Sequence, residues 1–203
     1  MLHDRMHRGW GEGRPGGPWA AWLGLVLLLG LLLPATVMAD IGQGSCDGVD
    51  ACLGNTGDVK NAACVGLEAC FQNTGDVKNA ACVGLEVCEN NHGDVGNNAC
   101  IGLEACIGNT GDVGNSSCVG SFACAVNRGT VGNAACVGLD ACNSNGGAVG
   151  HGSCNADHAC TANSGPIGNN SCNADHACTC NTDPIGDDQC NTPGECAQSC
   201  EPG

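Results

Sequence analysis

Cysteine is the residue type with the most chemistry to offer in this chain, which holds 20 of them. Most fall in pairs six residues apart, and the pairs recur every 18 residues: Cys46/Cys52, Cys64/Cys70, Cys82/Cys88, Cys100/Cys106, Cys118/Cys124, Cys136/Cys142, Cys154/Cys160, Cys172/Cys178 and Cys190/Cys196. The two extras are Cys180 and Cys200. Cysteines at this density either close disulfides or hold a soft metal as thiolates. Only Cys178-Thr179-Cys180 is as tight as the pairs of a zinc cluster, so disulfides are expected. Each cysteine column has an odd number of members, so neither column is completed by pairing within itself. Pairing inside each coil uses both columns fully and leaves Cys180 for Cys200.

Carboxylates form the second constellation. Asp58, Asp76, Asp94 and Asp112 share one column, and Asp50, Glu68, Glu86, Glu104 and Asp140 share another. Stacked carboxylates repel, and a hard cation with oxygen ligands relieves that repulsion. Ca2+ at Asp58, Asp76, Asp94 and Asp112 is the one cofactor expectation, set against Lys60 and Lys78 two residues after Asp58 and Asp76. Asn155-Ala-Asp-His-Ala-Cys160 recurs as Asn173-Ala-Asp-His-Ala-Cys178, which should stack His158 on His176 beside Asp157 and Asp175. Catalysis needs unlike groups converging in a pocket. Here Ser, His and Asp recur in columns, so no enzyme activity is expected. The fifth coil departs most, with Ser121, Phe122, Arg128 and Thr130.

Composition sets the compartment and the partners. Residues 1–39 carry Arg5, Arg8 and Arg14, an apolar run from Trp19 to Leu33, then Val37-Met38-Ala39. This predicts a secretory signal peptide cleaved after Ala39. Membrane contact is expected only through an uncleaved signal. Beyond it the basic residues are Lys60, Lys78 and Arg128, so the remainder is more acidic still than the whole chain's −15. That excludes nucleic acid and favours cations or a protein surface as partners. There is no Tyr, and Phe71 and Phe122 are the only Phe. An ordinary hydrophobic core cannot offset chain entropy here, so the scaffold must be cross-linked, in an oxidising compartment.

The 18-residue period positions all these residues. Cys100 to Ser117 reads CIGLEACIGNTGDVGNSS. Asn recurs from Asn55 to Asn181, Gly follows two residues later from Gly57 to Gly165, and an aliphatic residue two further on, from Val59 to Ile185. A fixed period of this length marks a solenoid. The expected fold is all-β: a β-solenoid of eight to nine disulfide-stapled coils, with a rise of about 4.8 Å per coil and Asn columns able to form amide ladders. Residues 40–45 form a short lead, 46–189 eight repeats, and 190–203 a partial ninth repeat and cap containing Pro193, Cys200 and Pro202.

Two resemblances follow. Val65-Gly-Leu-Glu-Ala-Cys70, Ile107-Gly-Asn-Thr-Gly-Asp112 and Val113-Gly-Asn-Ser-Ser-Cys118 resemble the hexapeptide repeat of left-handed parallel β-helices. That resemblance implies inward aliphatic residues and outward cysteines. It fades after residue 137, where Asn155 and Asn173 replace the aliphatic residue. The Cys-x5-Cys spacing resembles that of hyperactive beetle antifreeze proteins, which implies a bridge across the interior of each coil. The two implications conflict, and the sequence leaves the pairing open. The antifreeze Thr-Cys-Thr flanks are absent: Ala63-Cys64-Val65 and Ala69-Cys70-Phe71 stand there. The functional expectation is a secreted, extracellular or cell-surface, structural or surface-interaction repeat protein. The alternative is a ligand-binding face, either a calcium-binding adhesin-like module or an ice-binding protein.

Overall fold

The computed structural model describes residues 39–200, which belong to one compact unit, Met38–Gly203. The expected signal peptide lies outside the described residues except for Ala39, as does Pro202 of the expected cap. Within 39–200 the chain winds as a stack of 18-residue coils, each bonded to both neighbours. Val77 N–H donates to the Asp58 carbonyl one coil back at 2.8 Å, and Lys78 N–H to the Val95 carbonyl one coil on at 3.0 Å.

These coils do not make the expected all-β solenoid. Among the described residues there is no helix and no extended strand. Neighbouring coils meet instead as isolated single-residue parallel bridges. The backbone gives the reason. φ is positive at alternate residues, as at Ala62 (53°), Cys64 (55°), Gly66 (139°), Glu68 (52°), Cys70 (59°) and Gln72 (53°). An extended strand needs negative φ at every residue. The coil therefore turns at every second residue from Ala62 to Gln72, while no φ from Asn73 to Asn79 is positive, and only two rows reach the neighbouring coil in β fashion. One row, from Ile41 to Ile185, is buried at Val59, Val77 and Val95. The other, from Asp47 to Val137, is half-exposed at Val65, Val83 and Ile101. Beyond Val137 the second row changes chemistry. Asn155, Asn173 and Asn191 replace the aliphatic residue, and their Oδ1 atoms accept the N–H of Val137, Asn155 and Asn173 at 3.1, 3.0 and 3.0 Å.

The interior is narrow and filled by small groups. Cys64, Cys70, Ala63 and Ala69 are fully buried, as are their counterparts in the next coil, apart from Val87 in place of the second Ala. The cysteines point inward, which corrects the outward placement implied by the hexapeptide pattern. Close coil contact requires glycine at Gly84, where φ is 146° and a Cβ would strike the Gly102 carbonyl, and at Gly75, where it would strike the Gly93 carbonyl. A buried amide ladder runs beside the sulfurs. Each Asn Nδ2 donates to the Asn Oδ1 one coil back and to the carbonyl two residues ahead: for Asn109, Asn91 Oδ1 at 2.8 Å and Gly111 O at 2.7 Å. Gln198 Nε2 closes the far end on Asn181 Oδ1 at 3.3 Å.

One column reverses part-way along the stack. The second cysteine of the early coils donates its N–H forward, Cys70 to Val87 and Cys88 to Ala105. In the later coils the same N–H points back, Cys142 to Ala123 and Cys160 to Ala141. Cys106 keeps the positive φ of Cys52, Cys70 and Cys88, and Cys124 does not. The fourth and fifth coils thus meet donor against donor, and among the described residues neither Cys106 N–H nor Cys124 N–H has an acceptor. A buried unpaired donor costs about 1–3 kcal/mol. This seam lies in the fifth coil's own irregular stretch.

Asn109→Ala strands the Asn91 oxygen and the Gly111 carbonyl and leaves Asn127 Nδ2 with only its bond to the Gly129 carbonyl, all of them buried. We expect a loss of about 3 kcal/mol or more in thermal unfolding with the disulfides intact. Asn55→Ala, at the half-buried head of the ladder, should cost visibly less.

Candidate functional site

All cysteine sulfurs of the described residues are bonded to one another. Nine bridges join residues six apart within a coil, from Cys46–Cys52 to Cys190–Cys196, and the tenth joins Cys180 to Cys200. No free cysteine remains among them. Sulfurs of successive bridges stack closely, those of Cys70, Cys82 and Cys88 lying within 4.8 Å of one another. In this state they are neither nucleophiles nor thiolate ligands. Intramolecular disulfides in such number are typical of extracellular proteins.

The four aspartates proposed for a cation do form one column on the outside of the stack. Each spends one oxygen on the backbone. Asp58 Oδ1 accepts the N–H of Asp40 at 2.9 Å, Asp76 that of Asp58 at 3.0 Å, Asp94 that of Asp76 at 2.9 Å, and Asp112 that of Asp94 at 3.0 Å. The chain also brings its own cations: Lys60 Nζ stands 3.4 Å from Asp58 and 3.5 Å from Asp40, and Lys78 Nζ 3.8 Å from Asp76. The N–H of Asp40 holds the Asp58 carboxyl below its ordinary value, against the cost of partial burial and with help from Lys60. A shallow groove of about 310 Å³ beside this column is lined by Lys78, Asp94, Asn97, Asp112 and Asn115. Among the described residues no three carboxylate oxygens of the column converge within ligating distance of one another. A neighbouring column works the same way: Asn97 Oδ1 accepts Asn79 N–H at 3.2 Å, and Asn115 Oδ1 accepts Asn97 N–H at 2.8 Å. Side-chain oxygens thus complete coil-to-coil bonding where the backbone carbonyl has turned away.

Two stretches of the chain, residues 62–134 and 121–201, match one family, a domain of unknown function, DUF7640. The chain belongs to the DUF7640 family. Each match takes in several coils, and the two overlap across the irregular fifth coil. No curated protein and no solved structure matches the chain.

On another corner of the DUF7640 stack, Glu68, Glu86 and Glu104 form the acidic column that Asp50 begins. Sequence reasoning did not single out Glu89, which joins them: burial first, then the charges of Glu68, Glu86 and Glu104, push its carboxyl above the ordinary value. The signal was available in the spacing, since Glu89 falls three residues after Glu86, at the other end of the same turn. Further along this column Phe122 interrupts, and Asp140, His158 and His176 follow. The two imidazole rings stack at 4.9 Å between centroids, with His158 Nδ1 3.7 Å from Asp140 Oδ2. Asp157 turns to the backbone instead, accepting the N–H of Leu139 at 2.8 Å.

If the Asp column serves as backbone acceptors, Asp94→Asn keeps the bond to Asp76 N–H and leaves the melting temperature close to wild type. Asp94→Ala removes it and costs about 1 kcal/mol. A wild-type melting temperature that rises with calcium, and a rise lost in both variants, would show a cation role instead. For Glu89 the sign runs the other way from Asp58. Its folded-state pKa is raised, so the folded form suffers once pH climbs through that value, and no penalty exists below the unfolded value. Glu89→Gln should therefore melt higher than wild type at about pH 7 and equally at about pH 3.

Proposed function

We propose that this DUF7640 protein is an exported structural or surface-interaction protein that acts without catalysis. Its working parts are rows of identical side chains repeated at one-coil spacing, met by a partner along the stack rather than in a cleft. The observation that carries this reading is the repetition itself. Asn79, Asn97 and Asn115, or Leu67, Leu85 and Leu103, present the same group to solvent at successive coils. Such rows suit contact with an extended surface. The disulfide count, the leader-like composition of residues 1–39 and the acidic remainder support an extracellular or cell-surface location.

The test is to express the full chain with its own leader in a secreting host and to place a photo-crosslinker at Leu85 and, separately, at Asn97. We expect release of an oxidised protein beginning at Asp40 and cross-links from at least one row to another surface macromolecule. Retention as a reduced intracellular protein, or cross-links to itself alone, would overturn the proposal.

A further inference from the structure

One corner of the stack combines exposed apolar side chains with acids that have no counter-ion among the described residues. Leu67, Leu85 and Leu103 stand at the same position of three successive coils and remain 42%, 39% and 36% exposed. The next residue in each coil is Glu68, Glu86 or Glu104, and Glu89 lies at the same corner. The aspartate column offers a contrast within the same coils, since Lys60 and Lys78 pair with Asp58 and Asp76 there. Among the described residues no ion pair reaches Glu68, Glu86, Glu89 or Glu104. Burial first, and then the charges of Glu68, Glu86 and Glu104, disfavour the ionised form of Glu89.

Resting on the surface-interaction reading, we propose that the Leu67–Leu85–Leu103 row with its flanking glutamates is a docking face for a basic amphipathic polypeptide segment. Apolar side chains of the partner would cover the leucines, and its lysines or arginines would neutralise the glutamates. Charge decides among occupants. A second copy would set this acidic face against another strongly acidic chain. An anionic membrane is repelled by the same column. A cationic segment gains from both parts of the face, and partial desolvation by the leucines strengthens its ion pairs. The fifth coil ends the face, because Ser121 and Phe122 replace the leucine and the glutamate.

The test uses the secreted, oxidised protein and a fluorescent peptide of alternating lysine and leucine, read by anisotropy. Leu67→Ser, Leu85→Ser and Leu103→Ser together keep the charge, and the fold already accepts serine at this position in Ser121. We expect this variant to bind at least about tenfold more weakly, as loss of an interface anchor does. Glu68→Gln, Glu86→Gln and Glu104→Gln together should weaken binding comparably. Asp76→Asn, Asp94→Asn and Asp112→Asn together remove as many charges elsewhere and should change it little. Unchanged affinity in the leucine variant, or an equal loss in the aspartate variant, would overturn the docking face. Either result would leave the surface-interaction reading standing, because that reading is decided separately by the cross-linking from both rows. A dimer that the leucine variant converts to monomer would assign the face to a second copy and overturn the proposal. Binding to phosphatidylcholine vesicles lost in that variant would assign it to a membrane, with the same consequence.

Discussion

Everything in this stack depends on a disulfide that spans six residues inside one coil. The bridge holds the two Cα atoms 5.5 to 5.8 Å apart in each coil. Six residues run extended would separate their ends by about 20 Å, so the segment between must fold back on itself. It does so with left-handed residues, as at Cys64 and Glu68, and with a glycine between them. A bridge over so short a loop contributes about 2 kcal/mol on the loop-entropy model. Repeated in every coil, it replaces the apolar core that this composition cannot supply. It also fixes how narrow the interior is, which is why Ala63 and Ala69 flank the sulfurs and nothing larger than Val or Asn is fully buried.

The tight backbone then dictates the rest. Peptides that alternate in direction cannot all meet backbone partners on the next coil, so side chains complete the bonding. Asp94 and Asn97 do this on the outside, and the Asn55–Asn181 ladder does it inside. Among the described residues no buried side-chain N or O is without a partner. The donor-against-donor seam at Cys106 and Cys124 is where two peptide arrangements meet. It shows that each arrangement satisfies its own run of coils and that the junction bears the cost. Stability in this molecule is therefore a sum over coils and their contacts, with an unpaired-donor seam in the middle.

Much of this was legible in the residues. The 18-residue frame, the stacked Asn column and the change of one row at Asn155 and Asn173 can all be read from spacing alone. The backbone conformation was not. Val65 and Val83 looked like strand residues because aliphatic residues at fixed spacing signal β structure, but left-handed Cys64 and Glu68 leave no room for an extended run. Nothing in the identity of Cys, Glu or Ala announces a positive φ, because the constraint comes from the bridge and the neighbouring coil. The aspartates were legible as a column but not as backbone acceptors, since that role depends on which carbonyls turn away. The exposed leucines escaped notice for a related reason. Leu67 stands three residues from either cysteine of its bridge, and only the alternating backbone decides that it faces outward.

The most direct test of the account is the disulfide map of the secreted protein. Unreduced protein is alkylated under denaturing conditions, weighed, digested and its cross-linked peptides sequenced by mass spectrometry. The account predicts no alkylated cysteine in the intact mass. It also predicts cross-links between residues six apart in every coil, with Cys180 joined to Cys200. Cross-links between cysteines 18 apart, or several free thiols, would contradict it, because the coil would then lack the bridge that folds it.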